Sequence, residues 1–210
     1  METRITILCD NSISRSGFVG EHGFSCLIER GDEKYLFDTG PGRSLPLNLE
    51  TLNMDLKGLK RIFISHGHYD HTGGLPWAVQ EMGEIEVVAH PAVFSRHMVM
   101  DPGVPEKPPR YIGCPASREE LERSGAIFRF MDHTGVAAPG VWFVTGIDRD
   151  PDKAPKDPRL VVPEGNGFVQ DFIEDDASLL IETAGPPVLV LGCAHAGVLN
   201  ILEYLRTKMG

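Results

Sequence analysis

The chain has 210 residues, 41% hydrophobic and 24% charged, with a formal net charge of −10 from 20 Lys and Arg against 30 Asp and Glu. This is the make-up of a globular protein long enough to bury a full core, which excludes disorder and fibrous repeats. No run approaches the ~18 apolar residues of a membrane span, and the acidic balance argues against loose binding to nucleic acid or anionic lipid.

At the N-terminus there is no basic flank followed by a long apolar stretch, so no signal peptide is expected. Residues 4–9 alternate and are β-branched, which predicts a strand. Residues 24–29 and 34–38 are predicted to pair around the Gly31-Asp32 turn. Leu45, Leu47, Leu49 and Leu52 then suit a short helix. Residues 61–65 read as a short buried strand that ends in a histidine-rich string, a helix follows through Met82, and residues 85–89 form another strand. Residues 101–115 carry five prolines and read as a surface excursion. Strands are predicted at 126–130 and 141–145, and a long loop at 148–165. A hairpin is predicted from 178–183 and 188–192. The chain closes with an amphipathic helix over 198–208, where Leu199, Leu202 and Leu205 recur at helical spacing. Strands flanked by helices in the first and last thirds predict an α+β fold, two sheets in a sandwich covered by helices. One domain over 1–210 is expected, with a first half of about 1–100 and a second of about 120–210 either side of the excursion. Cys9, Cys26, Cys114 and Cys193 are scattered without a C-x-x-C pair. A zinc ribbon and a disulfide framework are therefore not expected, and a reduced, cytoplasmic setting is.

Chemistry concentrates in Ser65-His66-Gly67-His68-Tyr69-Asp70-His71-Thr72-Gly73-Gly74, which holds three of the eight histidines. In an extended loop His66 and His68, two apart, project to one side and can meet one ion. Asp70 and His71 follow where the chain turns into the helix and can face a second ion. A lone histidine in such a loop is ordinarily solvated, whereas four ligand-type side chains this close are the pattern of a metal site. The mixed His/Asp set suits a divalent metal, zinc first with iron or manganese as alternatives, at one or two ions per chain.

The string HGHYDH matches H-x-H-x-D-H in full and resembles the metallo-β-lactamase superfamily. Phe37-Asp38-Thr39-Gly40 is similar to that superfamily's D-T-G, whose Asp supports the ligand loop from behind. More narrowly, EHGFSCLIE, YLFDTG, ISHGHYDHTGGL, AHP and LGCAHAGVLNIL resemble metal-dependent hydrolases related to a dihydropterin ribofuranosylaminobenzene phosphate synthase of methanopterin biosynthesis. The resemblance covers residues 1–100 closely and 140–205 more loosely, and it implies a four-layer αβ/βα sandwich. It further implies His66 and His68 on a first metal, Asp70 and His71 on a second, and a water between them as the nucleophile. Asp70 would orient that water or take a proton. It implies His195 as a ligand from the second half, Asp38 behind the ligands, and His22 and His90 as pocket residues that meet substrate. Cys193 reads as a small core residue, Asp148, Asp175 and Asp176 as solvated carboxylates, and His97 and His133 as surface.

Two features depart from the family pattern. Thr145-Gly146-Ile147-Asp148 stands where the superfamily has a G-H-T-like turn, and the subgroup's further strand with Gly-Phe-His lies beyond Gly210. The expected consequences are a missing C-terminal strand, a free sheet edge and a homo-oligomer. The leading expectation is a metal-dependent hydrolase of a small phosphorylated or ester-like molecule. The alternatives are a synthase of the pterin-precursor type, or a degenerate metal-binding domain without activity. Di-iron redox chemistry ranks low, because those relatives carry Glu where this chain has His68. No nucleic-acid partner and no membrane are expected.

Overall fold

The computed structural model describes residues 2–13, 15–101, 103 and 107–209. The first half runs β1 (Thr3–Cys9), β2 (Ser25–Arg30), β3 (Glu33–Phe37), α1 (Ser44–Thr51), β4 (Leu59–Phe63), α2 (Tyr69–Thr72), α3 (Leu75–Met82) and β5 (Ile85–Ala89). A 3-10 turn at Pro91–Phe94, β6 (Met98–Val99), β7 (Arg110–Tyr111), α4 (Arg118–Arg123) and β8 (Ala126–Phe130) follow. The remainder is β9 (Gly135–Ala138), β10 (Val141–Val144), β11 (Leu160–Glu164), β12 (Gly167–Gln170), β13 (Ser178–Ile181), β14 (Val188–Leu191) and α5 (Val198–Met209).

Alternation along the strands builds the layers. Side chains in a strand point to opposite faces with a period of two. Leu27, Leu36, Ile62 and Val87 therefore face one way, onto Leu45 and Leu49 of α1, Leu75 and Val79 of α3 and Leu121 of α4. Their neighbours Ile28, Phe37, Phe63 and Val88 face the other way and meet Val141, Phe143, Leu179 and Ile181. The outer face of that second sheet, with Trp142, Val144, Leu180 and Leu189, is covered by Ile201, Tyr204 and Leu205 of α5. Helix, sheet, sheet, helix is the four-layer αβ/βα sandwich. Each fully buried Leu, Ile or Phe contributes about 1.5–3 kcal/mol of apolar transfer free energy.

The first sheet has the order β1-β2-β3-β4-β5-β8 and the second β14-β13-β10-β9. In the first, β3, β4, β5 and β8 are parallel, so their C-terminal ends open on one edge, where loops collect. A capping box starts α4: Ser117 Oγ accepts from Glu120 N at 3.2 Å, and Ser117 N donates to Glu120 Oε2 at 2.8 Å.

Three expectations fail locally. The helix predicted to open at Thr72-Gly73-Gly74 starts only at Leu75, as α3, and the short α2 before it was not predicted. The proline-rich excursion ends in β7, and part of the 148–165 loop is β11. These join a third small sheet of order β12-β11-β6-β7. Strands of two residues, or fully exposed ones such as β12, carry no alternation for a sequence pattern to reveal. The unpredicted β9 is equally short. Among the described residues, no helix is long and apolar enough to cross a membrane.

Candidate metal centre

The loop after β4 is locked from below by Asp38 at the end of β3. Asp38 has φ of 56°, a left-handed conformation that Asp tolerates better than most residues. Its Oδ1 accepts from Ser65 N at 2.7 Å, and its Oδ2 accepts from Ser65 Oγ at 2.7 Å and faces His71 Nδ1 at 2.7 Å. Ser65 Oγ also lies 2.9 Å from His66 Nδ1. Both imidazoles are thus engaged at Nδ1, which turns Nε2 outward. Gly67 is required because a Cβ there would meet Val93 O at 2.1 Å.

The free nitrogens converge. His66 Nε2 stands 3.0 Å from His68 Nδ1, and the His66 ring is 4.8 Å from that of His195. His195 arrives on the turn after β14, where its backbone N–H and that of Ala196 donate to the two oxygens of buried Asp176 at 3.0 and 2.9 Å. On the other side His71 Nε2 is 3.1 Å from Cys193 Sγ and 3.6 Å from Asp70 Oδ2. His66, His68 and His195 form one set whose ligand atoms all lie within 4.8 Å of one another; His66, His71 and Cys193 form another.

These sets fit a divalent ion. The His195 Nε2 atom is buried without a hydrogen-bond partner among the described residues. Burial and the neighbouring rings hold His66 well below the usual histidine range, His68 down at about 3 and His195 at about 4. Neutral imidazoles with available lone pairs are what a metal requires. His71 goes the other way: burial opposes its charge, but Asp38 and then Cys193 outweigh it and push its pKa well up. That pocket favours a cation.

Of the residues singled out from sequence, His66, His68, His71 and His195 come together with Asp38 beneath them. Asp70 sits at the rim, buried, with His22 Nε2 3.6 Å from its Oδ2 on a mostly exposed ring. His90 does not reach the cluster through its Nδ1, which accepts from Ala92 N at 3.1 Å and caps the 3-10 turn. His133 and Asp148 are exposed, as their context suggested. Three readings are corrected. Cys193 is exposed beside His71 rather than packed in the core. His97 is 1% exposed, between carboxylates, and not a surface residue. Asp175 and Asp176 are buried, not solvated. Cys193 did carry a signal: it stands two residues from His195, the spacing of His66 and His68. His97 carried none.

The chain matches the Metallo-beta-lactamase superfamily over residues 19–176. It belongs to that superfamily. A 7,8-dihydropterin-6-methyl-4-(beta-D-ribofuranosyl)-aminobenzene-5'-phosphate synthase of Methanocaldococcus jannaschii is 29% identical, over 94% of this chain and 69% of the relative. An uncharacterised protein of the same archaeon is 30% identical, over 95% of this chain and 73% of its own length. Among solved structures, Tm1679, a metal-dependent hydrolase of the beta-lactamase superfamily, superposes with a TM-score of 0.81 at 28% identity. That match covers 100% of this chain and 73% of Tm1679. The superfamily fold is the αβ/βα sandwich expected from the resemblance.

Proposed function

We propose that this superfamily member is a metal-dependent hydrolase acting on a small phosphorylated or ester-like substrate, in the cytoplasm. The observation that carries it is the convergence of His66 Nε2, His68 Nδ1 and the unpartnered His195 Nε2 beside the His71–Cys193 pair. The three-histidine set, with the His71–Cys193 pair and Asp70 beside it, supports a binuclear centre in which His66 Nε2 serves one ion. A divalent ion held there, zinc before iron or manganese, supplies Lewis acidity for a water and for negative charge developing on the substrate. Asp38 and Ser65 keep His71 and His66 oriented with Nε2 outward. Asp70 Oδ2, at the rim, would be the base that orients such a water or takes its proton. His22, 3.6 Å from that oxygen, is placed to pass the proton on or to meet substrate. His90, held at Nδ1 by Ala92 N, would meet substrate through Nε2.

The test is His66→Ala, with bound metal and turnover measured on phosphoesters and esters. The expected outcome is loss of metal and at least about a hundredfold loss of turnover, above the ten- to hundredfold typical of losing a residue behind a ligand. A folded, metal-free variant with full activity would end this reading. A second reading, a synthase joining two co-substrates, is favoured by the alignment with the M. jannaschii enzyme over 94% of the chain. Product formed only with both co-substrates present, and surviving chelation, would select it. We also propose a homo-oligomer, built on β14, whose outer edge has no partner strand among the described residues; a monomer by light scattering would remove it.

A further inference from the structure

A second histidine–carboxylate unit lies behind the ligand loop. His97 Nδ1 meets Asp171 Oδ2 at 2.6 Å, while its Nε2 faces Asp175 Oδ1 at 3.5 Å. The other Asp175 oxygen accepts from Gly67 N at 2.6 Å. His97 Nε2 and Asp175 Oδ1 are both buried without a hydrogen-bond partner among the described residues. So is His68 Nε2, on a ring 5.0 Å from that of His97.

The spacing leaves room for an ion between the two atoms. A shared proton draws a charged N–H···O pair to about 2.7–2.9 Å. Two ligands at about 2.0–2.1 Å from one tetrahedral ion stand roughly 3.4 Å apart. The observed 3.5 Å matches the second case. The surroundings agree: a carboxylate on the far ring nitrogen is the usual way a metal-binding histidine is oriented, and Asp171 does for His97 what Asp38 does for His71. A cleft of about 770 Å³ between the 3-10 turn and the β11–β12 hairpin, walled by Val162, Val169 and Phe172, opens onto His97, Asp171 and Asp175.

We propose that His97 Nε2 and Asp175 Oδ1 bind a divalent cation at the floor of this cleft, apart from the His66, His71 and Cys193 centre, with Asp171 orienting His97. An imidazole with a carboxylate suits zinc or manganese. The site does not depend on the hydrolase reading, since it binds its ion whatever the main centre catalyses.

The test strips the full chain with a chelator, titrates it with zinc and counts ions by elemental analysis. His97→Gln and Asp175→Asn are each expected to bind one ion fewer than the unmodified protein, while His71→Ala retains the ion that His97→Gln loses. An unchanged count in His97→Gln overturns the proposal. Should a variant misfold, the unmodified protein decides by nitrogen NMR of the His97 ring. A zinc-dependent shift at Nε2 supports the site; a ring that stays protonated at both nitrogens throughout the titration overturns it. Asp171→Asn, which leaves both ligands in place, is expected to weaken this ion ten- to hundredfold.

Discussion

The two histidine–carboxylate units, Asp38 with His71 and Asp171 with His97, share a geometry and differ in what builds it. In both, a carboxylate holds Nδ1, at 2.7 and 2.6 Å, and leaves Nε2 aimed at another potential ligand. In both, carboxylates overcome the burial that would disfavour charge: His71 is pushed well above its usual range and His97 to about 9. Asp38 and His71, however, are set by β3 and β4, neighbouring parallel strands of the main sheet. His97 and Asp171 are set by the third sheet, where β6 and β11 pair through only Leu160–Val99 and Val161–Met98. The same orienting device thus stands once on a six-stranded core sheet and once on a small sheet whose edge strand β12 is exposed. The two meet at Gly67, whose flanking residues serve the main centre while its N–H ties down Asp175.

The largest expected effect that separates the units is at Asp38. Asp38→Asn should weaken metal at the His66, His71 and Cys193 centre ten- to hundredfold, read by competition with a chromophoric chelator, and should spare the His97-dependent ion. Equal weakening of both would show that they act as one site. Gly67→Ala should disturb both together. Its Cβ would meet Val93 O at 2.1 Å, so unfolding stability should fall by about 2 kcal/mol, measured by urea denaturation, with both ions bound less tightly. The smallest effect is at a remote control: Ser117→Ala removes the cap of α4 and should cost about 1 kcal/mol. Its ion count should stay unchanged, and a changed count would mean that metal loading follows general stability.

How much was legible in the sequence follows from how local each feature is. The long strands β2 to β5 and β8 declared themselves by alternation or by β-branched runs, because one face of each meets helices and the other meets the second sheet. The helix α5 was expected from leucine spacing, but Leu199 and Leu202 are exposed and it packs through Ile201, Tyr204 and Leu205. The third sheet was illegible because β6 and β7 are two residues long, β12 is exposed along its length, and β6 is held by β11 far along the chain. The segment read as a proline-rich surface excursion illustrates this. Its end delivers Ile112, whose N–H donates to His97 O at 2.9 Å and whose carbonyl accepts from Tyr69 N at 2.8 Å, buttressing the ligand loop.

The sequence by itself determined the α+β class and the grouping of His66, His68, Asp70 and His71, while Asp38 behind them followed from the family resemblance of its D-T-G segment. The four lie within one strand–loop–helix unit, so spacing and backbone geometry suffice to bring them together. Only the tertiary structure decided that Cys193 stands beside His71, and that His97, Asp171 and Asp175 form a second buried unit, whereas His195 was already expected from the resemblance. The physical reason is sequence separation: His71 and Cys193 stand 122 positions apart, and His97 and Asp171 stand 74 apart. Packing one sheet on another, and a small third sheet on its rim, is what brings such residues into contact.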